Sequence, residues 1–135
     1  MKPNPVVHFE MPYEDKNRAA EFYKTAFGWQ PKMMGAEMGD YVVMQTAETD
    51  EKGMLKEPGR INGGMFKKSP TNDFTSFVIA VDDIREAMKR VTEAGGKIME
   101  GESAGEPTDI PGIGLYIGFT DTEGNRVSML EPKGM

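Results

Sequence analysis

The feature that most narrows what this chain can fold into is an internal repeat. Residues 5–29, PVVHFEMPYEDKNRAAEFYKTAFGW, read as a strand followed by a helix, and a plainer version begins near Thr75, TSFVIAVDDIREAMKRVTEAGGK. Tyr13-Glu14-Asp15 aligns with Val81-Asp82-Asp83, and Gly28 with Gly95, so the second helix is slightly shorter. Three further strand-like runs follow each helix. A duplicated βαβββ module is the simplest reading, and the expected class is α+β.

Within the first copy, Val7, Phe9 and Met11 form an apolar face by alternation, and Val6, His8 and Glu10 a mixed one. Such a strand suits a helix on one side and a wet pocket on the other. Asp15 is the predicted N-cap of a helix to Phe27, with Ala19, Phe22, Tyr23, Ala26 and Phe27 as its buried stripe and Gly28 as its stop. Strands are expected at 29–34, 41–46 and 59–66, with a charged loop at 47–58. Beyond the hydrophilic connector KKSPTND, a strand over 74–81 precedes a helix with Asp83 as its cap. Asp83 and Glu86 have capping-box spacing, and Ile84, Ala87, Met88, Val91 and Ala94 make its apolar face. A strand at 97–101 and a Gly/Pro-rich loop then lead to strands at 115–120 and 125–130 flanking the hairpin signal DTEG.

At 135 residues the chain suits one domain, with a first module over about 1–66, a connector over about 67–73 and a second module over about 74–135. A net charge of −6, with its acidic residues dispersed, argues against nucleic acid and anionic membranes as partners. No run is apolar enough for a membrane span or a signal peptide, so a cytoplasmic location is expected. The absence of cysteine removes disulfides, a thiolate nucleophile and a thiolate metal site. The twelve methionines are either flexible core filler or an adaptable binding surface. No nucleophile elbow, Walker A loop or dinucleotide fingerprint is present.

The element order, with VVHFEMP, RAAEFYKTAFGW, the VDD helix start and FTDTEGNRVSMLEP, resembles the vicinal oxygen chelate superfamily of glyoxalase I, extradiol dioxygenases and bleomycin and fosfomycin resistance proteins. The likeness spans nearly the whole chain and is nearest to small glyoxalase-related proteins. It implies two βαβββ modules forming a cupped mixed sheet with helices on the outer face, a site in the cup, and a homodimer. It also implies four metal ligands on the first and fourth strands of each module. Carried onto this chain, those positions are His8, Gly63, Ser76 and Ser128. One imidazole and two neutral hydroxyls are a poor set for a divalent transition metal, so no metal or other cofactor is expected, the alternative being such a metal at His8.

The expected ligand pocket comprises His8, Glu10, Trp29, Gly63, Met65, Ser76, Ser128 and Leu130, with Met44 and Tyr116 as further floor residues. His8, the sole histidine, is the best catalytic candidate, as a general base or a hydrogen-bond partner to a ligand; the plainer reading is a polar residue held by a neighbour such as Glu10. Tyr23, Phe27 and Trp29 are either an aromatic wall for a flat ligand or core. The favoured function is binding of a small, mostly apolar organic molecule without the family metal centre. The alternatives are a metal-dependent lyase, isomerase or dioxygenase, and a structural or partner-binding protein whose cup is filled by side chains.

Overall fold

The computed structural model describes residues 1–99 and 105–134, within which there are nine strands and two α-helices. They group into two compact units, one of His8–Thr75 and one of Met1–Val7 with Ser76 onward.

The first unit takes β1 (Val6–Tyr13) from His8 on, which runs into α1 (Lys16–Phe27), followed by β2 (Gln30–Met33), β3 (Val42–Gln45) and β4 (Asn62–Lys67). The last strand returns beside the first, parallel to it, and the sheet order is β2-β3-β4-β1. Helix α1 starts where the Asp15 carboxylate accepts the Arg18 amide, and stops at Gly28, whose left-handed φ of 73° lets its N–H reach the Lys24 carbonyl. The packed face is narrower than the periodicity predicts. Ala20 is buried and Ala19 and Tyr23 pack on the core, but Phe22 and Phe27 stand 58% and 65% exposed. Tyr13, Val42, Met44 and Met65 complete this core, with Phe9, Met11 and Trp29 against it.

The second unit repeats the plan with β5 (Ser76–Ala80), α2 (Ile84–Glu93), β6 (Lys97–Ile98), β7 (Thr108–Ile110), β8 (Gly114–Thr120) and β9 (Arg126–Pro132). Again the first and last strands pair in parallel, β5 with β9, and β8 pairs antiparallel with β9, β6 and β7. Strand β7 lies where a loop was expected: Thr108–Ile110 is short and flanked by proline, and pairing with β8 rather than propensity makes it a strand. The predicted strand at 97–101 is seen as Lys97–Ile98, its end lying outside the described residues. The Pro5 carbonyl accepts the Ala80 amide, tying the N-terminal arm into this unit.

Asp83 caps α2 through the Glu86 amide, as the spacing predicts. A second cap comes from the far end of the chain, where the Glu131 carboxylate on β9 accepts the Ile84 amide at 3.0 Å. Ile84, Ala87, Val81, Ile117 and Met129 form the core, with Met88 and Val91 beside them, whereas Ala94 is exposed. Asp83→Ala is expected to lower stability by about 1 kcal/mol in urea unfolding, because one helix amide loses its acceptor. An unchanged midpoint would mean that Glu131 alone suffices as a cap. No described helix is long and apolar enough to cross a membrane.

Candidate functional site

Alternation along β1 sends Phe9 and Met11 toward α1, and His8 and Glu10 to the opposite face. On that second face the two side chains meet through a third, Tyr41. His8 Nε2 lies 2.9 Å from the Tyr41 hydroxyl, and the hydroxyl donates to Glu10 Oε2 at 3.1 Å.

Tyr41 is aimed by the turn before β3. A 3-10 segment, Ala36–Met38, passes through Gly39 and Asp40, both at positive φ. The buried Tyr13 pins this turn by donating its hydroxyl to the Asp40 carbonyl at 2.7 Å. Room for the phenol ring comes from Gly64, which pairs with Glu10 on one side and Val43 on the other. A Cβ at Gly64 would strike the Tyr41 ring and hydroxyl, and one at Gly63 would strike the Phe9 ring. The two glycines thus accept one aromatic ring on each face of β4, a close approach that no larger residue permits.

Burial pushes the His8 imidazole below its ordinary value of 6.5, while the charge of Glu10 partly opposes that shift. Well above pH 6.5 His8 is neutral in both folded and unfolded chains. Below it the unfolded chain binds the proton more readily, so stability falls until pH passes the depressed folded value. His8→Gln should therefore flatten the loss of stability just below pH 6.5. An unaltered slope in urea unfolding across that range would exclude His8 as its source.

In the second unit, the face of β5, β8 and β9 opposite α2 carries Ser76, Tyr116, Ser128 and Leu130. This follows from the pairing of Val78 with Ser128, of Ala80 with Leu130 and of Tyr116 with Leu130. Tyr116 donates its hydroxyl to the buried Ser128 Oγ at 2.7 Å.

The structure therefore splits the expected pocket list. His8 and Glu10 sit together, and Ser76, Ser128 and Leu130 share the face of their own sheet opposite α2. Gly63, Met65, Met44 and Trp29 belong instead to the helix-covered side of the first unit. Met44 and Met65 are sealed in the core, and Trp29 stacks on Tyr23 at 4.7 Å and meets Phe9 at a tilt, 5.4 Å away. The register of β1 on β4, which pairs His8 with Asn62 and Phe9 with Gly63, sets this division. Asn62, level with His8, turns its side-chain oxygen to the Thr46 and Ala47 amides, a loop-holding role. Tyr41 escaped the sequence reading; its only local signal is an aromatic residue opening a strand after a Gly-Asp turn.

Residues 6–129 match the family profile of the Glyoxalase/Bleomycin resistance protein/Dioxygenase superfamily. The chain belongs to this superfamily. Within the glyoxalase superfamily, it is similar to a glyoxylase-like domain-containing protein of Didymella fabae, at 30% identity over 125 residues, covering 86% of this chain and 84% of that one. Its backbone matches a hypothetical protein of Bacillus halodurans C-125 with a TM-score of 0.68 at 15% identity, over 99% and 98% of the two chains. It matches the methylmalonyl-CoA epimerase of Streptomyces coelicolor, solved with 2-nitronate-propionyl-CoA, with a TM-score of 0.68 at 10% identity and the same coverage. At these identities the structural likeness is one of fold.

The positions that the superfamily likeness marks for a metal do not fit one. Gly63 offers no donor and lies under Phe9, Ser128 is engaged by Tyr116, and His8 Nε2 is engaged by Tyr41. A divalent transition metal takes several imidazole or carboxylate donors in one shell. Among the described residues, no three of His, Asp and Glu are grouped to hold an ion.

Proposed function

We propose that this glyoxalase-superfamily protein binds a small, mostly apolar organic molecule at the strand face that carries His8, without the family metal centre. The observation that carries the reading is the His8–Tyr41–Glu10 chain, built on the one face of β1 that α1 leaves uncovered. A polar chain of this kind, reaching over Gly64 toward Val43, is a small set of directed groups, which is how ligand sites fix orientation. The same reading makes the chain one domain, cytoplasmic and homodimeric; light scattering of purified protein tests the last.

The test is a calorimetric screen of small aromatic and aliphatic molecules against wild type and Tyr41→Phe. Saturable binding that weakens in the variant is expected. A flat response in wild type throughout the screen would sink the proposal.

A second reading, a metal-dependent lyase, isomerase or dioxygenase, is favoured by superfamily membership itself. Elemental mass spectrometry on protein purified without tag or chelator decides between them. Close to one transition metal per chain, lost in His8→Ala, would establish the second reading and displace the first.

A further inference from the structure

The small-molecule reading can be carried to a ligand class, because the hydrogen-bond chain has a direction. Tyr41 has a single hydroxyl proton, and Glu10 Oε2 accepts it. Donating to Glu10, the Tyr41 oxygen meets His8 Nε2 as an acceptor, an arrangement that calls for the imidazole proton on Nε2. A neutral imidazole protonated at Nε2 has a bare lone pair at Nδ1. Among the described residues no hydrogen bond is made to Nδ1, and no buried side-chain nitrogen or oxygen lacks a partner. Nδ1 is therefore an open acceptor that solvent, or a ligand, reaches.

We infer that the ligand is a mostly apolar molecule carrying an N–H or O–H donor, of phenol or indole type, which donates to His8 Nδ1. Glu10 acts through Tyr41 as a positioning residue in this scheme: it fixes which nitrogen is protonated without touching the ligand. An ether, ester or tertiary amine of the same size brings no donor and leaves Nδ1 unpaired on losing its water, which disfavours it. The inference rests on the binding reading but makes a statement about the free protein as well.

Because His8 is the only histidine, its two ring nitrogens are read without assignment in long-range proton–nitrogen spectra of labelled protein. At neutral pH the free protein is expected to show Nε2 protonated and Nδ1 bare. Phenol and anisole are then titrated as a matched pair. Anisole is the more apolar of the two, so hydrophobicity alone favours it. Phenol is nevertheless expected to bind several-fold to about tenfold tighter, and to shift the Nδ1 resonance on binding.

Protonated Nδ1 with bare Nε2, or equal binding of the two probes, overturns the ligand class while leaving small-molecule binding standing. Binding of neither probe, in protein with the expected tautomer, overturns the ligand class; the binding reading falls with it when the wider screen is flat as well. In Glu10→Gln, a positioning role predicts a mixed tautomer with folding intact; an unchanged Nε2-protonated ring would strip Glu10 of that role.

Discussion

Gly64→Val is expected to weaken binding at the His8 face by at least about tenfold while leaving most of the first unit standing. Valine is a good strand residue, so β4 itself has no objection to it. The objection comes from Tyr41, whose ring occupies the space a Cβ would take. With the ring displaced, His8 Nε2 and Glu10 lose the hydroxyl that joins them, and the imidazole is no longer held to one tautomer. Overpacking at such a site costs about 1–3 kcal/mol of stability. Affinity for the phenol probe should fall by at least about tenfold, equivalent to about 1.4 kcal/mol. Tyr41→Phe keeps the ring and deletes only the hydroxyl, so it should reproduce the affinity loss with a smaller stability change. Undiminished phenol binding in both variants would show that the chain through Tyr41 does not organise the site.

One residue further along β4 the expected outcome reverses. Met65 is 1% exposed and packs among Tyr13, Val42, Met44 and Ala20, on the side away from His8. Met65→Ala removes a long thioether from a closed core and should lower stability by about 2–5 kcal/mol, through lost transfer energy plus the cavity left behind. The urea midpoint moves and the slope stays the same if the loss is one of packing alone. Ligand affinity under native conditions should be kept, since Met65 lies on the face of β4 opposite the His8 chain. Loss of affinity without loss of stability would place Met65 in the binding face after all.

The difference between these neighbours marks where sequence reasoning runs out. The caps at Asp15 and Asp83, the stop at Gly28 and the hairpin at DTEG are local, and all are readable because each depends on residues a few positions apart. The two faces of β1 were readable as well, since alternation within one strand needs no partner. Position 63 against position 64 was not, because the side a residue faces on β4 depends on its register against β1, and glycines carry no apolar pattern to reveal it. The α1 stripe failed for a related reason. Phe22 and Phe27 lie at helical spacing with Tyr23, but periodicity gives the width of an apolar arc, not which edge meets the sheet. Tyr41 is the largest omission: its role is set by a gap over Gly64 and a pin from Tyr13, contacts that no spacing rule encodes. Glu131 lies on the opposite parity of β9 to Ser128, which alternation alone gives, but its service as a cap for α2 appears only in three dimensions.

The parallel pairing of first and last strands within each unit has a consequence for how the chain comes into being. Emerging from the ribosome, α1 can form as soon as Asp15 and Gly28 are outside the tunnel, because its caps are local. The sheet beneath it has to wait for β4, and His8 and Glu10 stay unscreened by Tyr41's partner strand until then. Residues 1–7 wait longer still: made ahead of α1, they are tied down only after β5 has been synthesised. Such non-local closure makes for slow assembly, and a segment made before α1 is thus secured well after it.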